Sequence, residues 1–276
     1  MGSLDGKVAF ISGGARGQGR SHAVQLAQEG ADIITFDICG PIDSVVYDHA
    51  TEQDLADTVK QVEALDRRII AKKTDVRDQA AVQAVLDEGI SQLGRVDIVI
   101  ANAGIMPLLG EKGAERQAWN DAIDIMLTGV LNTCEAAIPT LVAQGDGGSI
   151  VIISSTVGLM SAIHILDLKT DGGLGYAVAK HGVIGLMRAY ASCLGPYNIR
   201  CNTVHPTGVN TPMIVNPGFT ALTEAHPALV EAMHSSLPVP MIEPIDVSNA
   251  ILYLVSSAGR YVTGTTMRVD AGAVSD

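Results

Sequence analysis

The strongest constraint on this chain is an alternation. Short apolar runs and helix-period segments follow one another along most of its length, and the first apolar run ends in a cluster of glycines. Candidate strands fall at 7–12, 31–37, 68–73, 96–101, 149–154, 198–204 and 265–269. Candidate helices fall at about 17–29, 52–65, 78–93, 115–143, 175–194 and 246–257. Strands separated by helices are joined by crossovers, so they lie parallel in one sheet with helices on both faces. Strands covered on both sides need continuous apolar runs. The composition suits this, with 47% apolar residues, abundant Ala, Val, Ile and Gly, and only 4% aromatics. The expectation is an α/β fold in a single domain over residues 1–276. Two segments break the rhythm: a long link at 38–51 after the second strand, and a Pro-rich stretch at 205–245 with no strong period. Loops of this length in compact domains are usually functional.

The first strand runs into Ser12-Gly13-Gly14-Ala15-Arg16-Gly17-Gln18-Gly19, then into a helical pattern. Glycines at 13, 17 and 19 permit a tight turn and a close approach of a pyrophosphate to the backbone. The helix that follows offers free N–H groups and its positive dipole end to the phosphates. The order strand, glycines, helix, strand is the context that turns a common glycine cluster into a dinucleotide signal. Asp37 ends the second strand, 18 residues after Gly19. A carboxylate there accepts hydrogen bonds from adenosine ribose hydroxyls and repels the extra phosphate of NADP. Arg16 leans the other way, since a base in the loop could pair with that phosphate; it could equally neutralise the pyrophosphate. The carboxylate favours NAD. Asp75-Val76 and Asn102-Ala103-Gly104 follow the third and fourth strands, at the carboxyl ends where such sheets bind ligands. With Ile38 and Cys39 beside Asp37, these positions are the expected cofactor contacts.

The net charge of -12 disfavours nucleic acid and anionic membranes as partners. No apolar run approaches the ~20 residues of a membrane helix, and the N-terminus lacks a basic-then-apolar signal. Cys39, Cys134, Cys193 and Cys201 have no CxxC spacing, and the seven histidines form no HExxH pattern. Reduced thiols in a cytoplasm and no metal site are the expectation.

Across nearly its whole length the chain resembles the short-chain dehydrogenase/reductase superfamily. The resemblance rests on Gly13-x-x-x-Gly17-x-Gly19, Asp75, Asn102-Ala103-Gly104, Ser155, Tyr176-x-x-x-Lys180, and Asn202-x-Val-x-Pro206 leading to Thr211-Pro212-Met213. It implies a seven-stranded Rossmann sheet, usually a homotetramer, with further cofactor contacts at Val209, Thr211 and Met213. Tyr176 and Lys180 lie four apart on a predicted helix and share a face. A free phenol has a pKa of about 10. A nearby ammonium and a positive nicotinamide would lower it, so that Tyr176 could take the proton of an alcohol as hydride leaves. The resemblance adds that Lys180 holds the nicotinamide ribose. Ser155 would polarise the substrate oxygen, with Ser154 as the fallback because neighbouring strand residues face opposite ways.

Three features depart from the family pattern. The gap from Ser155 to Tyr176 is 21 residues where about a dozen is common, so 160–174 is expected to hold an inserted loop over the cleft mouth. Met126 stands in Ile125-Met126-Leu127-Thr128-Gly129 where an Asn often shapes a helix kink and relays protons. Thr207 replaces the Gly that usually follows the Pro. Within the family, Gly17-Gln-Gly-Arg-Ser-His-Ala23, Asp37-Ile38-Cys39, the 40–51 loop and Val204-His-Pro-Thr-Gly-Val-Asn-Thr-Pro-Met213 resemble the carveol dehydrogenase-like, mycofactocin-associated group. That resemblance implies oxidation of secondary, including terpenoid, alcohols. It also implies an NAD that is held rather than exchanged, with mycofactocin as electron acceptor. Two alternatives stay open: a redox sensor that binds NAD(H) without turnover, towards which Met126 leans, and an ordinary exchangeable-NAD dehydrogenase of a steroid or sugar-like alcohol. His205 is expected to make a structural hydrogen bond. His164 could equally touch substrate or not, Trp119 is expected in core or subunit interface, and Met106, Leu108, Val157, Met160, Met213 and Ile214 are expected to form an apolar pocket.

Overall fold

The computed structural model describes residues 2–160, 169–227 and 234–274. Strands β1 (Val8–Ser12), β2 (Asp32–Asp37), β3 (Ile69–Lys73), β4 (Ile98–Ala101), β5 (Gly148–Ile153), β6 (Ile199–Pro206) and β7 (Thr266–Val269) form one seven-stranded sheet. Their order is β3-β2-β1-β4-β5-β6-β7, and every pairing is parallel. The Rossmann sheet implied by the resemblance is the sheet the chain forms.

Both faces are covered, and the period of two along β1 assigns its residues to them. Val8 and Phe10 join Ile34, Val99 and Ile150 in one core. Ala9 and Ile11 join Ile33, Ile100 and Val151 in the other. The first core is closed by α3 (Gln79–Leu93), α5 (Gly129–Gln144) and α6 (Asp171–Leu194), through Leu86, Leu141 and Met187 among others. The second is closed by α1 (Gly17–Gln28), α2 (Glu52–Glu63) and α8 (Pro244–Val255), through Leu26, Val62 and Ile251. From β1 the chain winds one way to β3, then returns to place β4 on the other side of β1. The crevice lies at this switch of direction, outside the carboxyl ends of β1 and β4.

Several local expectations change. The helix expected over 115–143 is α4 (Arg116–Ile123), a π-helical turn at Asp124–Thr128 and α5. The π-helical turn therefore forms around Met126 with no asparagine amide to shape it. The helical path Arg116–Gln144 is also long and apolar enough to cross a membrane, contrary to the expectation that no run qualifies. Its apolarity has a packing cause, because Val130, Cys134, Ala137 and Leu141 face the core. Helix α6 begins at Asp171, where Thr170 Oγ1 accepts from Gly173 N–H at 3.0 Å. The end of the presumed 160–174 loop is thus helical, while 161–168, with His164, lie outside the described residues. The 205–245 stretch holds α7 (Pro217–Ala225), capped by Asn216, whose Oδ1 accepts from Phe219 N–H at 2.9 Å. This helix has no fully buried residue, so no apolar period marks it. The Asn-Pro start signal was the readable clue.

Candidate active site

The glycine loop is shaped by what lies against it. Gly13 has φ +71, and a side chain there would meet Ala103 Cα at 2.9 Å. A Cβ on Gly19 would stand 1.9 Å from the Gly13 carbonyl oxygen. The loop is stitched to the end of β4. Ser12 Oγ accepts from the N–H groups of Asn102 and Ala103 at 3.0 and 3.1 Å. Asn102 Nδ2 donates to the carbonyls of Ser12 and Gly13 at 3.0 and 3.1 Å. The Asn102 side chain therefore positions the loop, and Asn102 also lines the groove. From the other side, Arg20 donates to Ala15 O, Asp54 O and Thr58 Oγ1 at 2.7 to 3.0 Å, clamping the loop to α2. Ser12 and Arg20 went unassigned in the sequence, although Arg20 sits in the Gly17–Ala23 run.

A groove of about 950 Å3 runs from Asp37, Ile38 and Asp75 past Gly13, Gly17, Gln18 and Gly19 to Gly104, Thr211 and Met213. That figure includes space open to solvent. Arg16, Val76, Asn102 and Ala103 also line it. Asp37 accepts from Ala15 N–H at its Oδ2 and from Cys39 N–H at its Oδ1, both at 3.1 Å. Burial pushes its pKa up, and these two bonds oppose the rise. Each oxygen keeps a lone pair for a ribose hydroxyl.

Two expected contacts, Val209 and Cys39, are corrected, while Arg16 and Asp75 line the groove and are also tied to protein partners. The Arg16 guanidinium donates to the Asp48 carbonyl, so it ties down the 38–51 loop instead of serving only the pyrophosphate. The Asp75 carboxylate is taken by Arg77, at 2.6 Å from Nη2 and 3.0 Å from Nε. Val209 lies in the core beside Ile242 and is absent from the groove wall. Cys39 packs with Ala15 and Leu55, away from the groove wall, and burial lifts its thiol pKa to about 12. A dinucleotide fits the remainder. Gln18 Oε1 is buried without a hydrogen-bond partner among the described residues, and backbone lies close where glycines stand.

Ser155, Tyr176 and Lys180 lie beyond the Gly104 end of this groove. Ser154 Oγ donates to the Lys180 carbonyl at 2.8 Å, inside the fold. Ser155 Oγ accepts from Val157 N–H at 3.2 Å and lies near enough to Tyr176 to oppose the rise of its phenol pKa. His205 holds Ser155 in place, with Nδ1 2.8 Å from the Ser155 carbonyl and Nε2 2.8 Å from Thr203 Oγ1. That is the structural hydrogen bond expected of His205. Lys180 is buried and donates from Nζ to Ile153 O at 2.8 Å; Nζ lies 5.8 Å from the Tyr176 ring centroid. Burial lowers its pKa to about 8. Burial raises the Tyr176 phenol pKa, and the neighbouring Ser155 side chain opposes the rise. Next to these groups Tyr47, Met106 and Leu109 form an apolar cluster with Leu108, Met213, Ile214, Phe219 and Leu222. Val157 and Met160 are not part of it. Tyr47 and Phe219 were not foreseen, since both come from the two segments without a readable period. Trp119 is half-buried at the packing of α4 on Gly175 of α6.

A family model described as enoyl-(acyl carrier protein) reductase, of the short-chain alcohol dehydrogenase type, matches residues 13–274. The chain belongs to the short-chain dehydrogenase/reductase family. An uncharacterized oxidoreductase of Mycobacterium tuberculosis is 52% identical, over 99% of this chain and 97% of its own length. The (-)-trans-carveol dehydrogenase of Rhodococcus erythropolis is 44% identical over 99% of both chains. The crystal structure of carveol dehydrogenase from Mycobacterium avium in complex with NAD superposes with a TM-score of 0.90 at 48% identity, covering 99% of each chain. As a member of this family the chain is an oxidoreductase, and its groove lies where the Rossmann crevice receives a dinucleotide.

Proposed function

We propose that this chain is an NAD-dependent dehydrogenase that interconverts a secondary, cyclic and terpenoid-like alcohol and its ketone. The observation that carries the reading is the meeting of Ser155, Tyr176 and Lys180 at the end of a dinucleotide groove, beside an apolar cluster. Asp37 and Ile38 would hold the adenosine end, the Gly13–Gly19 loop the pyrophosphate, and Gly104, Thr211 and Met213 the nicotinamide half. When bound, NAD supplies the hydride acceptor and a positive ring. Ser155 donates to the substrate oxygen and Tyr176 takes its proton. Lys180, with a pKa of about 8, stays mostly charged at neutral pH and favours the phenolate. Met126 is a buried thioether and moves no proton, so protons leave Tyr176 by another route.

The walls near Tyr176 are Met, Leu, Ile and Phe side chains, which favour a hydrocarbon skeleton over a charged substrate. The 38–51 loop is fastened over the groove at several points. Arg16 holds the Asp48 carbonyl, Ser44 Oγ donates to Asp121 at 2.7 Å, and Met106 N–H donates to Tyr47 Oη at 3.0 Å. A cover held this way slows cofactor release, which supports an NAD that stays bound and is reoxidised in place, with mycofactocin as acceptor. A homotetramer in the cytoplasm completes the reading.

The test is absorbance at 340 nm on dialysed protein given carveol, first without and then with free NAD. The expected result is a rise that stops at one NADH per subunit and ignores added NAD, with Tyr176→Phe keeping its NAD and giving no rise. Continuous turnover dependent on added NAD would replace captive NAD by an exchangeable one. Activity retained in Tyr176→Phe would remove the acid/base assignment. Bound NAD with no rise in any alcohol would favour the sensor.

A further inference from the structure

His49 has a buried ring nitrogen, Nε2, with no hydrogen-bond partner among the described residues. The residue nonetheless stands in the wall of the cofactor groove. It is no loose surface histidine. Its ring stacks on Tyr47, with centroids 5.7 Å apart and planes 12° from parallel. Tyr47 is itself buried and tied to Met106 N–H, and the carbonyl of Asp48, the residue between the two in sequence, is held by Arg16. The imidazole is thus fixed on both sides in a position where one nitrogen stays bare. Buried polar atoms in folded proteins nearly always find a partner, and a bare one in a ligand groove points to the ligand.

We propose that His49 binds the adenosine half of NAD through Nε2. Its charged neighbours place it at that end: the imidazole feels Arg16, Asp37 and Asp48, which surround the end of β2 and the glycine loop. The adenosine of a dinucleotide rests at the end of β2 in a crevice of this kind. Burial, reinforced by Arg16, keeps the ring neutral. A neutral imidazole offers one N–H and one lone pair, which match a ribose hydroxyl or an adenine ring nitrogen. The inference rests on NAD as the cofactor and is independent of the role given to Tyr176.

The test is calorimetric titration of nucleotide-stripped wild type, His49→Phe and His49→Gln with ADP-ribose and with nicotinamide mononucleotide, alongside thermal melts. Phenylalanine keeps the stack on Tyr47 and removes only the nitrogens. His49→Phe should bind ADP-ribose about five- to tenfold more weakly, the worth of one hydrogen bond. Nicotinamide mononucleotide affinity should stay unchanged, and His49→Gln should recover part of the loss. If His49→Phe does not fold, His49→Leu takes its place with the same expectation. Unchanged ADP-ribose affinity overturns the proposal, and so does an equal loss for both ligands, which would mark a general disturbance of the groove. A wild type that binds neither ligand nor NAD removes the NAD reading and this inference with it.

Discussion

Mild acid should destabilise this fold, and His22 is the largest single reason. His22 lies on α1, fully buried against α8. Its Nδ1 is 2.8 Å from Ser248 Oγ, and Ser248 Oγ lies 3.0 Å from the Pro244 carbonyl, to which it donates. With its proton spent there, Ser248 accepts from Nδ1–H, so Nε2 carries a bare lone pair. That atom is buried without a partner among the described residues. Protonating it would put a charge where neither water nor an acceptor can reach, and burial drives the pKa down to about 3. In the unfolded chain a histidine titrates near 6.5. Between those values the unfolded chain takes up a proton that the folded chain refuses. Stability is therefore complete above about pH 6.5 and falls as the pH falls, by at most ~1.4 kcal/mol per unit. From pH 7 to pH 5, His22 alone removes about 2 kcal/mol. His205, held at about 4 by burial, adds a loss of the same sign. The assay is urea unfolding at both pH values, at one protomer concentration and one NAD concentration. It compares wild type with His22→Leu, which removes the titrating nitrogens and keeps the site apolar. Wild type should lose about 2 kcal/mol more than the variant over this interval. Equal losses would refute the argument.

Three further substitutions probe the site. Gly19→Ala drives a methyl to 1.9 Å from the Gly13 carbonyl, so the loop must shift; NAD retained after dialysis should fall at least tenfold, and unchanged retention would show the loop to be slack. The two serines should separate: Ser155→Ala should lower kcat about a hundredfold with Tm unchanged, whereas Ser154→Ala should keep kcat and lose about 1 kcal/mol of stability with its bond to Lys180 O. A reversed pattern, read from steady-state rates and thermal melts, would exchange their roles.

Sequence alone determined the layers of this protein and where ligands meet them. Continuous burial in strands such as Val8–Ser12 and period-3.6 burial in helices such as Gln79–Leu93 are local rules written in residue type. Glycines 13, 17 and 19, Asp37 and Tyr176-x-x-x-Lys180 could be read for the same reason, since each depends on spacing within one strand, turn or helix. Helix α7 and the apolar contributions of Tyr47 and Phe219 escaped. Their segments pack against distant parts of the chain and carry no period of their own. Only the tertiary structure turned Ser154 inward to Lys180 and Ser155 towards Tyr176, because the choice depends on where α6 lies against β5. It tied Arg16 to Asp48 and Asp75 to Arg77 within the groove wall, and gave Arg20 the task of clamping the glycine loop. It also supplied the burial that raises the Tyr176 phenol pKa, because burial is a property of the whole fold. A charge's partner and a group's distance from water are set by residues far away in sequence, and no local pattern records them.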